Sequence, residues 1–507
     1  MKSPRRGLVL AFLLFFLVPA WAQDVASFEK RVTVKKLPNG LTVVICQRPE
    51  APVFSFYTLV DAGSSQDPSG ETGLAHMFEH MAFKGTDRIG TKNWPAEKIA
   101  LEKVEQAYAA YRAESLKEVG KDPKKLEELQ KAWKDAIAEA DQYVIPEEFS
   151  NAIESQGGVG MNASTNMDQT DYFYSMPANR TQLWAYMESE RMRNPVMREF
   201  YKERDVVIEE RRMRTDSSPI GRLVEQFQSS AYIAHPYHRP TIGWMSDLNN
   251  FSATDALNFY NVYYVPANMT VAVVGDVKPE QLLPLVERYF GQIPTRPEPL
   301  PLRTQEPAQK SEREVVLEDR AQPFYLEGYH RPDYRDPDDV VYDAITDLMS
   351  NGRTSRLYRS LVRDKKIAAD AEGFSGFPGT KYPSLFAFYA VPTPGHTTAE
   401  LREAIHAEIE RVKAQDVTDE ELKMIKTRAK ADLIRSLGEN EGLATALAIY
   451  QARFGDWREL FRQVDKIDKV TKSDIRRVAN TIFVPENRTV GILQTRKPAA
   501  ATKGGRQ

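Results

Sequence analysis

Apolar and polar positions change rhythm several times along the chain, and each change marks an element. Residues Arg31 to Cys46 alternate around Pro38-Asn39-Gly40, the signal of two short strands joined by a tight turn. Val53 to Val60 reads as a further strand. From Gly73 to Phe83 the spacing becomes helical, with Thr72 or Ser69 available to cap the exposed amides at its start. Trp94 to Tyr143 is rich in Ala, Glu, Lys and Leu and breaks once, at Val119-Gly120-Lys121-Asp122-Pro123. That pattern predicts a helical hairpin packed down by a stripe of Leu126, Leu129 and Trp133, with no chemistry of its own. Gly158 to Tyr174 alternates like strands, and Trp184 to Arg214 returns to helical spacing until Ser217-Ser218-Pro219.

The stretch Pro294 to Pro301 holds four prolines in eight residues, which can continue neither a helix nor a central strand and reads as a linker. Beyond it the pattern partly repeats. Tyr264-Val265-Pro266-Ala267-Asn268-Met269-Thr270-Val271 matches Phe483-Val484-Pro485-Glu486-Asn487-Arg488-Thr489-Val490, with Asp255 and Asp474 in the same register. A helix closing into Val-Pro-x-Asn-x-Thr-Val and opening a strand, once on either side of the linker, predicts two copies of one α+β unit. Thr418 with Glu421 forms a capping box ahead of another helix in the second copy.

Composition adds bounds. The length of 507 residues exceeds what one core usually serves, so more than one domain is expected. A net charge of -3 with 27% charged residues gives no electrostatic case for a nucleic-acid partner. Lys2, Arg5 and Arg6, the apolar run Gly7 to Val18, and Ala20-Trp21-Ala22 compose an export signal, expected to be cleaved after Ala22. The mature protein is then periplasmic or secreted, with no stable membrane insertion. The single cysteine, Cys46, sits in a strand-like run and reads as a small buried residue. The resulting division is 1–22 signal, 23–293 first domain with a helical insert at about 94–143, 294–311 linker, 312–494 second domain, and 495–507 a polar tail expected to be disordered.

His76-Met77-Phe78-Glu79-His80 is the most informative segment. Residues four apart on a helix stand about 40° apart around the axis and about 6 Å along it, so His76 and His80 can converge on one ion. Neutral imidazoles suit Zn²⁺, and a third protein ligand leaves the fourth position for water. Glu79 projects from nearly the same face and is placed to take that water's proton and deliver it to a leaving amine. A second helical stretch, Phe200 to Arg211, is dense in carboxylates. Glu203 and Glu210 share one face with Val206 and Val207, so that face can carry a carboxylate to the metal, while Glu209 points elsewhere. His235 and His238 lie in a proline-broken loop, and His330, His396 and His406 lack ligand-like neighbours.

H-x-x-E-H is the inverted zincin motif. Gly73 to Thr86 resembles the first zinc helix of the pitrilysin and insulinase family of zinc peptidases, which includes the mitochondrial processing peptidases, and Glu203 to Glu210 resembles its second. Gly157-Gly158 with Asn162 to Thr165, and Gly352 to Leu357, also fit family patterns, so the resemblance covers nearly the whole mature chain. It implies an α+β fold of two homologous α/β-roll domains, each an antiparallel sheet with helices on one side, facing each other across a chamber. It implies one zinc ion per chain, with His76, His80 and Glu210 as ligands, Glu79 as base and Glu203 as a supporting carboxylate behind them. A strand near Gly160, Asn162 and Ala163 would pair with the backbone of a peptide substrate.

Two departures stand out. The spacing from His80 to Glu210 is longer than the family's usual one, and the helical insert accounts for the excess. Active members also carry an arginine and, seven residues later, a tyrosine in the second domain that bind the substrate carbonyl. Arg363 matches the arginine, but Ala369 or Asp370 stands near the tyrosine position. Loss of such a donor costs orders of magnitude in rate. The expected assembly is therefore a heterodimer with a homologous chain that carries the Arg/Tyr pair and lacks H-x-x-E-H. The competing reading is a non-catalytic peptide-binding or scaffold subunit of the same fold.

Overall fold

The computed structural model describes residues 28–496. The expected export signal at 1–22 and nearly all of the tail at 495–507 lie outside them. In the first half, strands β1 (Val32–Lys36), β2 (Thr42–Gln47), β3 (Val53–Val60), β4 (Val159–Thr165), β5 (Thr170–Pro177) and β6 (Met269–Gly275) form a sheet in the order β1-β2-β6-β3-β5-β4. In the second half, β7 (Arg313–Asp319), β8 (Phe324–Arg331), β9 (Ala368–Phe377), β10 (Ser384–Pro392) and β11 (Arg488–Thr495) form another, in the order β7-β11-β8-β10-β9. The second order reproduces β2-β6-β3-β5-β4 strand for strand. The senses agree too: β2 with β6 and β7 with β11 are parallel, and the remaining pairs are antiparallel. The fold is the expected α+β arrangement, with one parallel pair in each sheet because the last strand of each half returns between two earlier ones, β2 and β3 in the first and β7 and β8 in the second.

Helices of the first half include α1 (Leu74–Met81), α2 (Trp94–Ser115), α3 (Pro123–Asp141), α4 (Glu148–Glu154), α5 (Thr181–Arg193), α6 (Phe200–Arg211), α7 (Pro219–Ala231) and α8 (Ala253–Tyr263). The helical spacing from Trp184 to Arg214 is broken between α5 and α6, where Pro195 follows Asn194 and cannot continue the ladder. Helices of the second half include α9 (Asp339–Ser350), α10 (Asp419–Ser436), α11 (Asn440–Phe454) and α12 (Lys472–Ile482). The chain from Pro294 to Lys310 forms no regular element.

Helices do not cover only one side of each sheet. α11 of the second half lies on β3 and β6, and α7 of the first half lies on β7 and β11. Every residue of β6 is consequently buried, and its unbroken Val271-Ala272-Val273-Val274 is the composition a strand covered on both faces requires. Phe227 of α7 reaches the second sheet over glycines: a Cβ at Gly328 would stand 2.9 Å from its ring, and one at Gly491 3.3 Å. Each half thus completes the other's second face.

The insert α2–α3 packs against α6 through an aromatic cluster in which Trp133 stacks on Tyr111 at 5.3 Å and meets Tyr201 edge-on at 5.0 Å. Leu126 and Leu129 stay partly exposed, so Trp133 rather than a leucine stripe anchors α3. Cys46 is buried.

Candidate metal centre

α1 turns Leu74, Ala75, Met77, Phe78 and Met81 into the core, which fixes its rotation and sends His76, Glu79 and His80 to one cavity. Neither Thr72 nor Ser69 caps it. Asp67 does so instead, accepting the N–H groups of Gly73 at 2.7 Å and Ala75 at 2.9 Å, while the Thr72 hydroxyl is spent on Asp247 at 2.7 Å. α6 crosses α1 and brings Glu203 and Glu210 to the same cavity. Val207 is buried on that face, whereas Val206 is half exposed. Glu209 points to solvent and pairs with Arg212 at 3.0 Å.

His76, His80 and Glu210 each offer one atom to a cluster whose members lie within 4.8 Å of one another, and no other such group occurs among the described residues. Glu210 Oε2 stands 3.8 Å from His76 Nε2 and 3.6 Å from His80 Nε2. The donor set suits zinc: donors around a tetrahedral ion stand about 3.3 Å apart, and both imidazoles lie within about 0.5 Å of that separation from Glu210. The rings of His76 and His80 meet edge to face at 4.9 Å. Burial, with His80 and Arg214 adding to it, pushes the His76 pKa down to about 3, which keeps that imidazole neutral as a metal ligand must be. Burial alone would lower His80 as well, but Glu203, Glu79 and Glu210 outweigh it and raise it.

Behind the ligands, Glu203 Oε2 lies 3.4 Å from His80 Nδ1, and its other oxygen receives Lys84 Nζ at 2.5 Å. Burial acts to raise the Glu203 carboxyl, yet the bonds to His80 and Lys84 hold it below the usual carboxylate value. Burial raises Glu79, partly offset by a hydrogen bond with Thr165. A carboxyl raised in this way holds a proton more readily than an exposed glutamate does, as a group that takes up and returns a proton requires.

The cavity is about 860 Å³ and is lined by residues of the first half. Its far wall is the edge strand β4, which contributes Met161 to Thr165, and Val144 and Ile145 after the insert close another side. Asn162 and Ala163 are therefore at the cavity, with Asn162 Oδ1 accepting the Ala163 N–H at 2.9 Å. Gly160, at φ +68, falls within an irregularity in the β4–β5 register and is not part of the wall. Arg363 is not at the cavity either: it is exposed and paired with its neighbour Asp364 at 2.6 Å. Lys84, Arg198 and Arg214 line the cavity without having been singled out from sequence. Arg214 was the one open to inference, being four residues beyond Glu210, the spacing of a helical ion pair.

In the second half α9 stands where α1 stands in the first. It carries Asp343, Thr346 and Asp347 at the spacing of His76, Glu79 and His80, with no histidine. The repeat thus doubles the scaffold but not the cluster.

Two family models match the chain, insulinase (peptidase family M16) over residues 42–116 and the peptidase M16 inactive domain over residues 250–429. Zinc protease PqqE of Helicobacter pylori is 31% identical, with 97% of this chain and 99% of that protein covered. The chain belongs to the insulinase family of peptidases, M16. Within this family it is also similar to the mitochondrial-processing peptidase subunit beta of Saccharomyces cerevisiae, 22% identical over 88% of the chain and 87% of that protein. The crystal structure of a protease from Helicobacter pylori superposes with a TM-score of 0.76 at 29% identity, covering 91% of this chain and 99% of that one. The periplasmic protease PqqL of Escherichia coli shares the fold, with a TM-score of 0.66 at 18% identity over 92% of this chain and 48% of that one.

Proposed function

We propose that this M16 chain is a zinc metalloendopeptidase acting on peptides or unfolded segments, in which His76, His80 and Glu210 hold one zinc ion and Glu79 is the general base. The observation that carries the reading is the meeting of two imidazoles and one carboxylate, within 4.8 Å, beside a partly desolvated glutamate. When bound, zinc supplies Lewis acidity that brings the pKa of water towards 7. Glu79 takes a proton at its carboxylate and returns it to the departing amine, and the Thr165 hydroxyl holds that carboxylate in orientation. The β4 edge at Asn162 and Ala163 offers main-chain groups to an extended peptide, which accounts for binding with little demand on side chains.

The proposal includes a partner, a homologous chain with the Arg/Tyr pair and without H-x-x-E-H. In its support, the cavity lining comes from the first half, the residue seven beyond Arg363 is Asp370, and one relative is named as a subunit. The stretch matching the inactive-domain model, 250–429, runs from α8 of the first half into the second half and contains none of the cluster residues, so it does not bear on the zinc ligands. Location in the periplasm or outside the cell belongs to the same reading. It draws on the export signal, and no helix among the described residues is long and apolar enough to cross a membrane.

The test is zinc content together with cleavage of a quenched peptide library, comparing wild type with Glu79→Gln, alone and with a candidate partner chain. Expected are zinc in both proteins and cleavage by wild type only, with a loss of at least about 100-fold in the variant. Zinc without cleavage under any pairing replaces the peptidase by a peptide-binding subunit, and absence of zinc removes the site.

A further inference from the structure

Glu210 has two oxygens, and only Oε2 faces the histidines. The other, Oε1, is held by Arg214 Nη1 at 2.7 Å. We infer that Arg214 is a positioning residue that fixes Glu210 as a one-oxygen ligand, and that its own place is set by α7, the helix lying on the second half's sheet. The inference rests on the zinc reading above.

The backbone explains how an exposed arginine can be so placed. α6 ends at Arg211, and the chain continues through a wider π turn, Arg212 to Asp216, before α7 begins. Such a turn re-aims side chains at the end of a helix and is common at functional sites. It swings Arg214 back over Glu210. The turn is itself pinned from below by Gly221, in the first turn of α7. A Cβ at that position would stand 2.2 Å from the Arg214 carbonyl oxygen and 3.0 Å from the Thr215 Cα, so only glycine lets the two segments meet. Ser218 Oγ accepts the Gly221 N–H at 3.1 Å and fixes the start of α7. Further along α7, Leu223 and Phe227 belong to the core shared with Leu326, Leu385 and Leu493 of the second half. A continuous set of contacts thus runs from the second sheet through α7 and Gly221 to Arg214 and the ligand oxygen.

The chemical consequence concerns denticity. A carboxylate free to rotate can offer both oxygens to a metal and consume the position that catalysis reserves for water. Holding Oε1 in a charge-assisted bond leaves Oε2 as the single donor. An ordinary exposed i,i+4 ion pair would contribute little. This one differs because its acid, 17% exposed, has its second oxygen in the cluster.

The experiment uses the full chain as wild type, Arg214→Gln, Arg214→Lys, Gly221→Ala and the control Arg212→Gln, whose arginine pairs with exposed Glu209. Zinc affinity is measured by competition with a chromophoric chelator, and ligand geometry by the visible absorption of the Co²⁺-loaded proteins. Arg214→Gln, a change at an exposed side chain, is expected to raise the zinc dissociation constant about 10-fold and to shift the cobalt bands. Arg214→Lys restores part of both, Gly221→Ala moves both in the same direction as Arg214→Gln, and Arg212→Gln changes neither. Unchanged affinity and cobalt spectrum in Arg214→Gln overturn the inference while leaving the zinc reading intact, even if cleavage falls, because Arg214 would then act on substrate. Failure of wild type itself to bind zinc overturns both.

Discussion

Glu203 Oε2 lies 3.4 Å from His80 Nδ1, across the imidazole from the Nε2 that faces Glu210. A carboxylate on the far nitrogen selects the tautomer with its proton on Nδ1 and frees Nε2 as a donor to metal. Lys84 anchors the opposite oxygen of Glu203 at 2.5 Å, and Glu199 receives the same ammonium at 3.4 Å, so the carboxylate cannot swing away.

Replacing Glu203 by Gln keeps the shape and removes the charge. The expected outcome is zinc affinity lower by about 10- to 100-fold with the fold retained, checked by chelator competition and circular dichroism. Equal affinity in wild type and variant would mean that His80 is oriented by packing alone.

The parts of this site that were legible in the sequence are those that one helix specifies by itself. His76 and His80 are four apart, and Glu203 and Glu210 two turns apart, so each pair shares a face before any tertiary structure is known. Contacts across long sequence distances left no such trace. Asp67 caps α1 from a loop in place of the nearer Thr72, because folding back of the 67–73 segment decides which oxygen reaches the amides. Arg363 matched the family's arginine by position along the chain, yet position says nothing of whether it reaches the cavity of His76. The amphipathic pattern of α7 likewise announces an apolar face, but not that the sheet beneath it belongs to the other half.

Arg198 is another residue that only the structure reveals. Its guanidinium makes bonds of 2.5 Å and 3.0 Å to Glu97 of the insert and also donates to the carbonyls of Lys84, Thr86 and Ile89 just after α1. Both partners are fully buried, at 1% and 0% exposure. Glu97→Ala strands that cation in the interior and is expected to cost about 3–5 kcal/mol in denaturant unfolding. A cost below about 1 kcal/mol would show that the pair is hydrated in solution.

The exchanged helices predict that the halves unfold together. Phe227→Ala opens a cavity under α7 on the second sheet, and Leu447→Ala opens one under α11 on the first. Expected losses are about 3–5 and about 2–5 kcal/mol respectively, each in a single transition seen alike by fluorescence and circular dichroism. A variant that splits the curve in two would show that the halves are stable apart.

Asp67 sets a pH dependence on the same scaffold. It is 4% exposed, and burial pushes its pKa up to about 8 despite the N–H groups of Gly73 and Ala75 and the nearby Arg239. In the unfolded chain an aspartate titrates near about 3.9. The folded state therefore holds this proton more tightly, so its contribution to stability is complete below about pH 4 and is lost as pH rises towards about 8. Asp67→Asn cannot ionise, and it has one side-chain oxygen where Asp67 has two, each of which accepts one of the N–H groups of Gly73 and Ala75. The urea midpoint of wild type should exceed that of Asp67→Asn by most at about pH 5, and the gap should narrow steadily towards about pH 8. A gap that stays constant across that range would mean that Asp67 is already ionised in the folded protein at pH 5, with its two helix amides outweighing burial.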